Sequence, residues 1–423
     1  MALIKKISSF FKKERIKGEK FLALDIGTEF VRALIFKIEK DQTGKKEKSV
    51  ILGLGSKKQR FENIRTELAT DIKGLTITCQ EAVREAEALS DLKTDEVIIG
   101  TTNQFIKGST TTLSYLLENP SEPIDFLEMK NIIQKVQWKI FNKIRQELSV
   151  ETGLAEIEIK LISGTLVDLQ LDGYKVINPI GFQGKELSLS IFNTYTSSIY
   201  LSAIRQIAKA LNLKILAIVN GLYAIAKSVK LEDCIFIDFG DRMTDIALLR
   251  RGILEGVKSV NLGGRSFTKR LISDLGLASK EAEEIKIRYS QGQVSTQAKR
   301  KIREILKPDL AIWLKGVEIA LSEFSQDRPF PSLVLLCGGG SFLPGVKRSL
   351  ESAPWQVNLP FTKALKVDFI RAKDILGIDD EAGVLKETKE ITPLALANFG
   401  LNLRKKQTVC NSILNRVIHL MQI

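Results

Sequence analysis

LLCGGGSFLPGV (335–346) decides how the rest of the chain is read. Leu333 to Leu336 is a short apolar run of the buried-strand kind, and it leads into Cys337 and three glycines, Gly338, Gly339 and Gly340. Ser341, Phe342, Pro344 and Gly345 then open a helix. Glycines leave room for a purine to lie against the backbone. The first N–H groups of a helix point at phosphate. Working outward, two more strand-and-turn units share this character. Phe21 to Asp25 is a buried-strand pattern, Ile26-Gly27-Thr28 a tight turn, and Val31 to Ile38 a returning strand. Some 210 residues later, Cys234 to Asp238 is again a buried strand, followed by Phe239-Gly240 and by Thr244 to Leu249. Each is a β-hairpin with an aspartate at its tip. The turn glycines bring backbone N–H groups close to phosphate, and Thr28 adds a hydroxyl. Asp25 and Asp238 are placed to hold Mg²⁺ through water, because Mg²⁺ favours carboxylates and keeps part of its hydration shell. A single Asp-x-Gly-Thr turn is common in unrelated folds. Three glycine turns after three strands, two of them acidic, form a constellation.

The chain between these units alternates helices and strands, which indicates α/β layers. Helices are expected over 78–90, 125–149 (with Asp125 as cap), 197–212, most of 263–290 and most of 296–325. Residues 157–191 read as alternating strands. With 423 residues and 44 % apolar content, the chain can fill more than one core. His419 is the single histidine, which excludes Ser-His-Asp triads and histidine zinc sites. The four cysteines, Cys79, Cys234, Cys337 and Cys410, are widely spaced and suit a reducing compartment.

The net charge is +13, and most of it lies at the ends. Residues 1–20 hold seven cations against two anions. Residues 401–423 hold four cations and no acid. Basic ends attract nucleic acid or anionic lipid. The apolar pattern decides for lipid. Leu3, Ile4, Ile7, Phe10 and Phe11 share one helical face, and so do Ile413, Leu414, Val417, Ile418 and Met421. Both segments are too short to span a bilayer and suited to lie in its interface. The other reading is that each end packs on the chain's own core. No nucleic-acid partner is expected. His419 falls on the polar side of the last helix.

At these motifs the chain resembles the actin-like ATPase superfamily. LALDIGT looks like its first phosphate loop, FIDFGDRMTDIAL its second, LLCGGGSFLPGV its adenosine loop and ILAIVNGLYAIAKS (215–228) its first connecting helix. Within the superfamily the resemblance is to FtsA, the bacterial cell-division protein. It rests on YKVINPIGFQGKELSL (174–189), NLGGRSFTKRLISDLG (261–276), AEEIKIRYSQG (282–292) and EITPLALANFGLNL (390–403), the last similar to a return strand. The resemblance implies an α/β actin-like ATPase fold, with two lobes around a nucleotide cleft, an FtsA-type insert domain and amphipathic termini. It divides the chain into a basic amphipathic segment at 1–20, domain 1A at 21–78, 184–230 and 375–403, and insert domain 1C at 79–183. Domain 2A takes 231–265 and 330–374, domain 2B takes 266–329, and a basic linker with the C-terminal helix takes 404–423.

The same resemblance implies ATP and Mg²⁺ as cofactors. Asp25 and Asp238 would act on the metal and in catalysis. Gly27 and Thr28 would serve the phosphates and Mg²⁺, Gly240 and Thr244 the second loop, and Gly263 and Gly264 would also be cofactor-binding. Glu283 and Lys286 would face ribose and adenine, and Gly338, Gly339, Gly340 and Phe342 would line the base. Taken alone, Glu283 and Lys286 are an ordinary i, i+3 surface pair.

The implied function is a self-assembling scaffold on the cytoplasmic face of the cell membrane, a peripheral protein that tethers FtsZ by its C-terminal tail through domain 2B. The basic run Lys299, Arg300, Lys301, Arg303 and Lys307 suits an acidic tail and equally a solvated helix face. The N-terminal basic helix departs from FtsA and looks more like PilM of type IV pilus assembly, which gives a pilus scaffold as the alternative. A small-molecule kinase of this fold would need an acceptor base, and no such carboxylate stands out. The second loop also departs from the glycine-rich pattern: Asp241, Arg242 and Met243 stand where glycines and a threonine are usual, and Glu29 follows Thr28 in the first. A carboxylate beside phosphate is repulsive, with Arg242 as its expected neutraliser. The expectation is therefore nucleotide binding with at most weak hydrolysis.

Overall fold

The computed structural model describes residues 20–40, 47–59, 71–101, 106–152, 158–352, 354–361, 363–383, 385, 390–404 and 408–421. The N-terminal amphipathic segment expected over 1–20 lies outside them, apart from Lys20, which begins the first strand.

In chain order the elements are β1 (Lys20–Ile26), β2 (Phe30–Lys40), β3 (Glu47–Lys58), α1 (Ile72–Ser90), β4 (Glu96–Thr101), β5 (Lys107–Leu116), α2 (Phe126–Thr152) and β6 (Ile159–Leu171). There follow β7 (Tyr174–Lys175), β8 (Glu186–Ser197), α3 (Ser198–Ala210), β9 (Lys214–Asn220), α4 (Gly221–Ser228), β10 (Cys234–Phe239), β11 (Thr244–Arg250) and β12 (Ile253–Val260). The last are α5 (Gly264–Leu275), α6 (Ser279–Ser290), α7 (Thr296–Ser322), β13 (Leu333–Cys337), α8 (Val346–Ser352), β14 (Lys366–Phe369), β15 (Ile378–Asp380), α9 (Ile391–Arg404) and α10 (Val409–Met421).

Two mixed sheets organise the chain. The first has six strands in the order β15-β3-β2-β1-β4-β9, and the second nine in the order β14-β13-β10-β11-β12-β5-β8-β6-β7. Each contains one acidic hairpin, β1–β2 and β10–β11, flanked by a parallel strand, β4 and β13 respectively. β1, β10 and β11 are buried along almost their whole length, and β2 is buried over its apolar centre Ala33–Phe36. α4 and α9 lie between the sheets, and one core joins Phe36 and Ile98 of the first to Phe236 and Leu249 of the second. α1 and α3 cover the other face of the first sheet, and α5 to α8 pack with the second.

Several expectations change. Residues 215–228 are not one helix. The β-branched run at 214–220 pairs parallel with β4, and Asn220 then caps α4 by accepting from the Tyr223 N–H at 3.2 Å. The return strand expected over 390–403 is helical. Its Leu-Ala-rich centre is buried, and Pro393 sits in the first turn, where its missing N–H costs nothing. Residues 79–101, read with the insert, are tied by pairing to the first sheet: β4 lies between β1 and β9, and α1 packs on β2 and β3. α1 starts at Ile72, earlier than its apolar spacing suggested, with Asp71 capping Gly74 at 2.7 Å. Asp125 does cap α2, accepting from the Glu128 N–H at 2.7 Å.

The C-terminal helix is the largest correction. Cys410, Ile413, Leu414, Val417 and Ile418 of α10 are buried against α2 and β6, in a core shared with Ile140, Ile144, Leu161 and Leu169. Asn411 accepts the Leu166 N–H at 2.8 Å, where the β6–β8 register shifts. The apolar face expected to meet lipid is covered by the protein itself. His419 is exposed, as expected. Among the described residues no helix is long and apolar enough to cross a membrane.

Candidate functional site

The two hairpins and the glycine loop meet in a cleft of roughly 960 Å³. Hairpin register sets the walls. Asp25 lies opposite Arg32, and Asp238 lies opposite Asp245. Both turns close on backbone bonds, Gly27 N–H to Phe30 O at 3.1 Å and Gly240 N–H to Met243 O at 3.0 Å. The third motif is pressed against the second. Gly338 has φ +82°, and a Cβ there would lie 2.2 Å from Asp238 Oδ1. Only glycine fits at that position. Gly340 meets the Phe239 ring in the same way, at 2.6 Å, while Gly339 is open.

Of the expected residues, Asp25, Gly27, Thr28, Asp238, Gly240, Gly264, Glu283, Lys286, Gly338, Gly339, Gly340 and Phe342 all line this cleft. Phe342 stacks on Phe369 with ring centroids 5.5 Å apart, presenting an aromatic wall. The helix expected from Ser341 starts later. A 3₁₀ turn spans Gly339–Phe342, Ser341 is buried with its hydroxyl on Gly338 O at 2.6 Å, and α8 begins at Val346.

Two expected residues do not line the cleft. Thr244 is fully buried, donating to Leu262 O at 2.7 Å and accepting from Trp313 Nε1 at 2.9 Å. Gly263 supports the second loop from behind, where a Cβ would lie 2.4 Å from Asp241 O. Lys286 reaches the cleft, but its ammonium is shared among Glu283 at 2.8 Å, Thr268 Oγ1 at 2.8 Å and Gly264 O at 3.0 Å. An ammonium has three donors, so it acts here as a brace between α5 and α6.

Sequence reading missed Arg32, Asp245 and Arg265. Arg32 Nη1 lies 3.8 Å from Asp25 Oδ2. Arg265 Nη2 lies 2.7 Å from Asp241 Oδ2, so Arg265 pairs with the acidic second loop, and Asp241 also acts on the charge of Arg242. The signal for Arg32 and Asp245 was present, since residues opposite a hairpin aspartate are its neighbours.

Burial pushes the Asp25 carboxyl up to about 7, against the pull of Arg32 and with help from Asp238. Burial likewise raises Asp238 to about 6, again opposed by Arg32. Asp245 rises to about 7 through burial, opposed by the Ser259 hydroxyl and assisted by Asp238. Glu283 behaves differently: burial works against its charge, but Lys286 and Thr268 outweigh that and hold it below the usual range. One guanidinium, Arg32, acts on Asp25 and Asp238, and Asp245 lies opposite Asp238. Asp25 Oδ1 is buried without a hydrogen-bond partner. These residues fit a hydrated Mg²⁺ held through water by Asp25 and Asp238. Among the described residues no three acids, histidines or cysteines are grouped to hold a metal directly.

Residues 235–378, which contain the second hairpin, α5 to α8 and the glycine loop, match the sequence profile of the family described as cell division protein FtsA. The chain is 25 % identical over 295 residues to the cell division protein FtsA of Neisseria meningitidis serogroup B, which is 67 % of this chain and 64 % of that protein. It is 22 % identical over 384 residues to FtsA of Pseudomonas aeruginosa, covering 84 % and 86 %. Among solved structures, a PilM–PilN type IV pilus biogenesis complex superposes with a TM-score of 0.58 at 17 % identity, over 91 % of this chain and 99 % of that one. The chain is similar in sequence to FtsA and has an actin-like ATPase fold. The FtsA-like chain spans just under two thirds of the Neisseria relative. Its two sheets are the cores of two lobes, and the cleft lies between the acidic hairpins of both.

Proposed function

We propose that this FtsA-like protein is a nucleotide-binding scaffold of bacterial cell division, peripheral to the cytoplasmic face of the membrane, that self-assembles and tethers FtsZ. The observation that carries the reading is the convergence of Asp25, Asp238 and the Gly338–Gly340 loop on one cleft. The cofactors are ATP and Mg²⁺. Mg²⁺, when bound, neutralises phosphate charge. The chain's own residues do the rest. Thr28 offers a hydroxyl at the first tip, Asp25 and Asp238 would hold the metal through water, and Phe342 and the open Gly339 would receive the base. Loop 2 is pinned to α5 by the Gly264 N–H on Gly240 O at 2.9 Å and the Arg265 N–H on Asp241 O at 2.7 Å. A fixed, acidic loop suits occupancy-dependent assembly better than rapid turnover.

The FtsZ tail is assigned to the segment 266–329, where the basic residues of α7 lie, and the domain divisions are those expected from the sequence, with the insert core taken over residues 107–197. Because α10 buries its apolar face, membrane attachment falls to residues 1–19. That feature also supports the second reading, a pilus scaffold of PilM type, whose membrane-proximal partner would supply an N-terminal peptide. Titration with a fluorescent FtsZ tail peptide and with a pilus-partner peptide separates the two. Nucleotide-dependent binding of the first supports the division scaffold, and binding of the second alone replaces it.

A further inference from the structure

We propose that the outward face of α2, in the insert, lies against an anionic lipid surface, an inference that deepens the membrane reading above and rests on it. α2 turns Ile132, Val136, Ile140 and Ile144 inward, where they are buried in one core with α10 and the sheet. On the opposite side Leu127, Trp138 and Arg145 form a single row, falling within about 20° of one another around the helix. Leu127 is 60 % exposed and Trp138 45 %. The other two tryptophans of the chain, Trp313 and Trp355, are buried. Arg145 lies over the Phe141 ring at 5.9 Å, and Trp138 meets that ring edge-on at 6.2 Å, so the aromatic pair carries a cation with it.

The charge on this face has one sign. From Gln134 to Gln146 the helix carries Lys135, Lys139, Lys143 and Arg145 and no acid, and all four cations are exposed. The acids that approach them come from outside that stretch. Glu118 lies 3.8 Å from Lys135, and Glu147 lies 3.8 Å from Lys143. Both are exposed pairs at long range, which bind weakly. α10, in the same core as α2, adds Arg416 and His419 on its exposed side and has no acid. An exposed tryptophan and leucine flanked by cations have the composition of an interfacial face: the indole sits at the level of the head groups, and lysine and arginine stems lie on apolar surface with their charges at lipid phosphate. The face is held in place by the core beneath it. It is one weak signal, and the basic segment 1–19 supplies a second. Stable peripheral binding takes two.

Trp138 is itself the probe. The full chain is mixed with vesicles of phosphatidylglycerol and phosphatidylcholine whose acyl chains carry bromine near the head group, a short-range quencher of indole emission. Trp313 and Trp355 are buried out of its reach, so quenching reports Trp138. Emission is expected to fall on these vesicles and to stay unchanged on brominated phosphatidylcholine alone, and Trp138→Phe should remove the quenching. Lys139→Glu combined with Arg145→Glu should weaken vesicle binding by at least about tenfold. Circular dichroism and thermal unfolding report that the variants are folded. Co-sedimentation with unchanged Trp138 emission overturns the proposal and leaves attachment to residues 1–19 alone; a face that meets acidic protein or nucleic acid instead gives this same result. Failure of the folded full chain to bind anionic vesicles at all removes the membrane reading itself, and this face with it.

Discussion

Gly164 of β6 lies directly under Ile418 of α10: a Cβ on Gly164 would sit 2.4 Å from the Ile418 Cδ1. The missing side chain is the socket in which the last helix seats. Gly164→Val should therefore destabilise the protein by about 1–3 kcal/mol through overpacking. Denaturant unfolding of the single variant and of Gly164→Val with Ile418→Ala checks this. The second change should return part of the loss, because it shortens the side chain that clashes.

Burial of α10 leads to a second expectation. Deleting residues 1–19 should abolish co-sedimentation with anionic liposomes, whereas Leu414→Ser, which injures the seat of α10, should lower stability without reducing lipid binding. Loss of liposome binding on the α10 change alone, in a protein still folded by circular dichroism, would return the anchor to the C-terminal end.

The cleft acids give a pH dependence. The carboxyls of Asp25 and Asp245 titrate near 7 in the folded protein and Asp238 near 6, all above their usual 3.8. The folded state therefore holds more protons than the unfolded state between those limits, and stability falls as pH rises through this window. The slope is on the order of 1.4 kcal/mol per pH unit for each group fully shifted, shared among neighbours that interact. Nucleotide-free protein should melt at a higher temperature at about pH 5 than at about pH 8, and Asp25→Asn should flatten the difference.

Thr244 separates a structural role from a ligand role. Its hydroxyl accepts the Trp313 N–H at 2.9 Å and donates to Leu262 O. Thr244→Val orphans the buried indole N–H and should cost about 1–3 kcal/mol. Nucleotide affinity of the folded variant should stay within about twofold. A large selective loss of affinity would place Thr244 at the phosphates after all.

The cleft was legible where its residues are contiguous. LDIGT, IDFG and CGGGS each place strand, turn and acid or glycine within a few positions, and the structure brings all three together. Arg32 and Asp245 were harder to see because they stand on the returning strands, seven residues past their partners in sequence but opposite them in register. Thr244 misled because its residue type suits phosphate, whereas its orientation depends on Trp313, 69 residues further on. The amphipathic pattern of 409–421 was read correctly as a helix with one apolar face. What covers that face is set by α2 and β6, and the Leu166–Asn411 contact spans 245 residues. No local pattern encodes a contact at that range.

That separation has a consequence for biosynthesis. The core built by β5, β6, β8 and α2 is closed by side chains from 409–421. During translation, residues 107–197 emerge long before their closing helix does. Until then the groove that receives Leu414 and Ile418 is open to water, and the backbone N–H of Leu166 lacks its Asn411 partner. Domains complete in themselves fold as they leave the ribosome. This one has to wait for residues 409–421, and in the interval its exposed apolar groove is a natural place for a chaperone to hold.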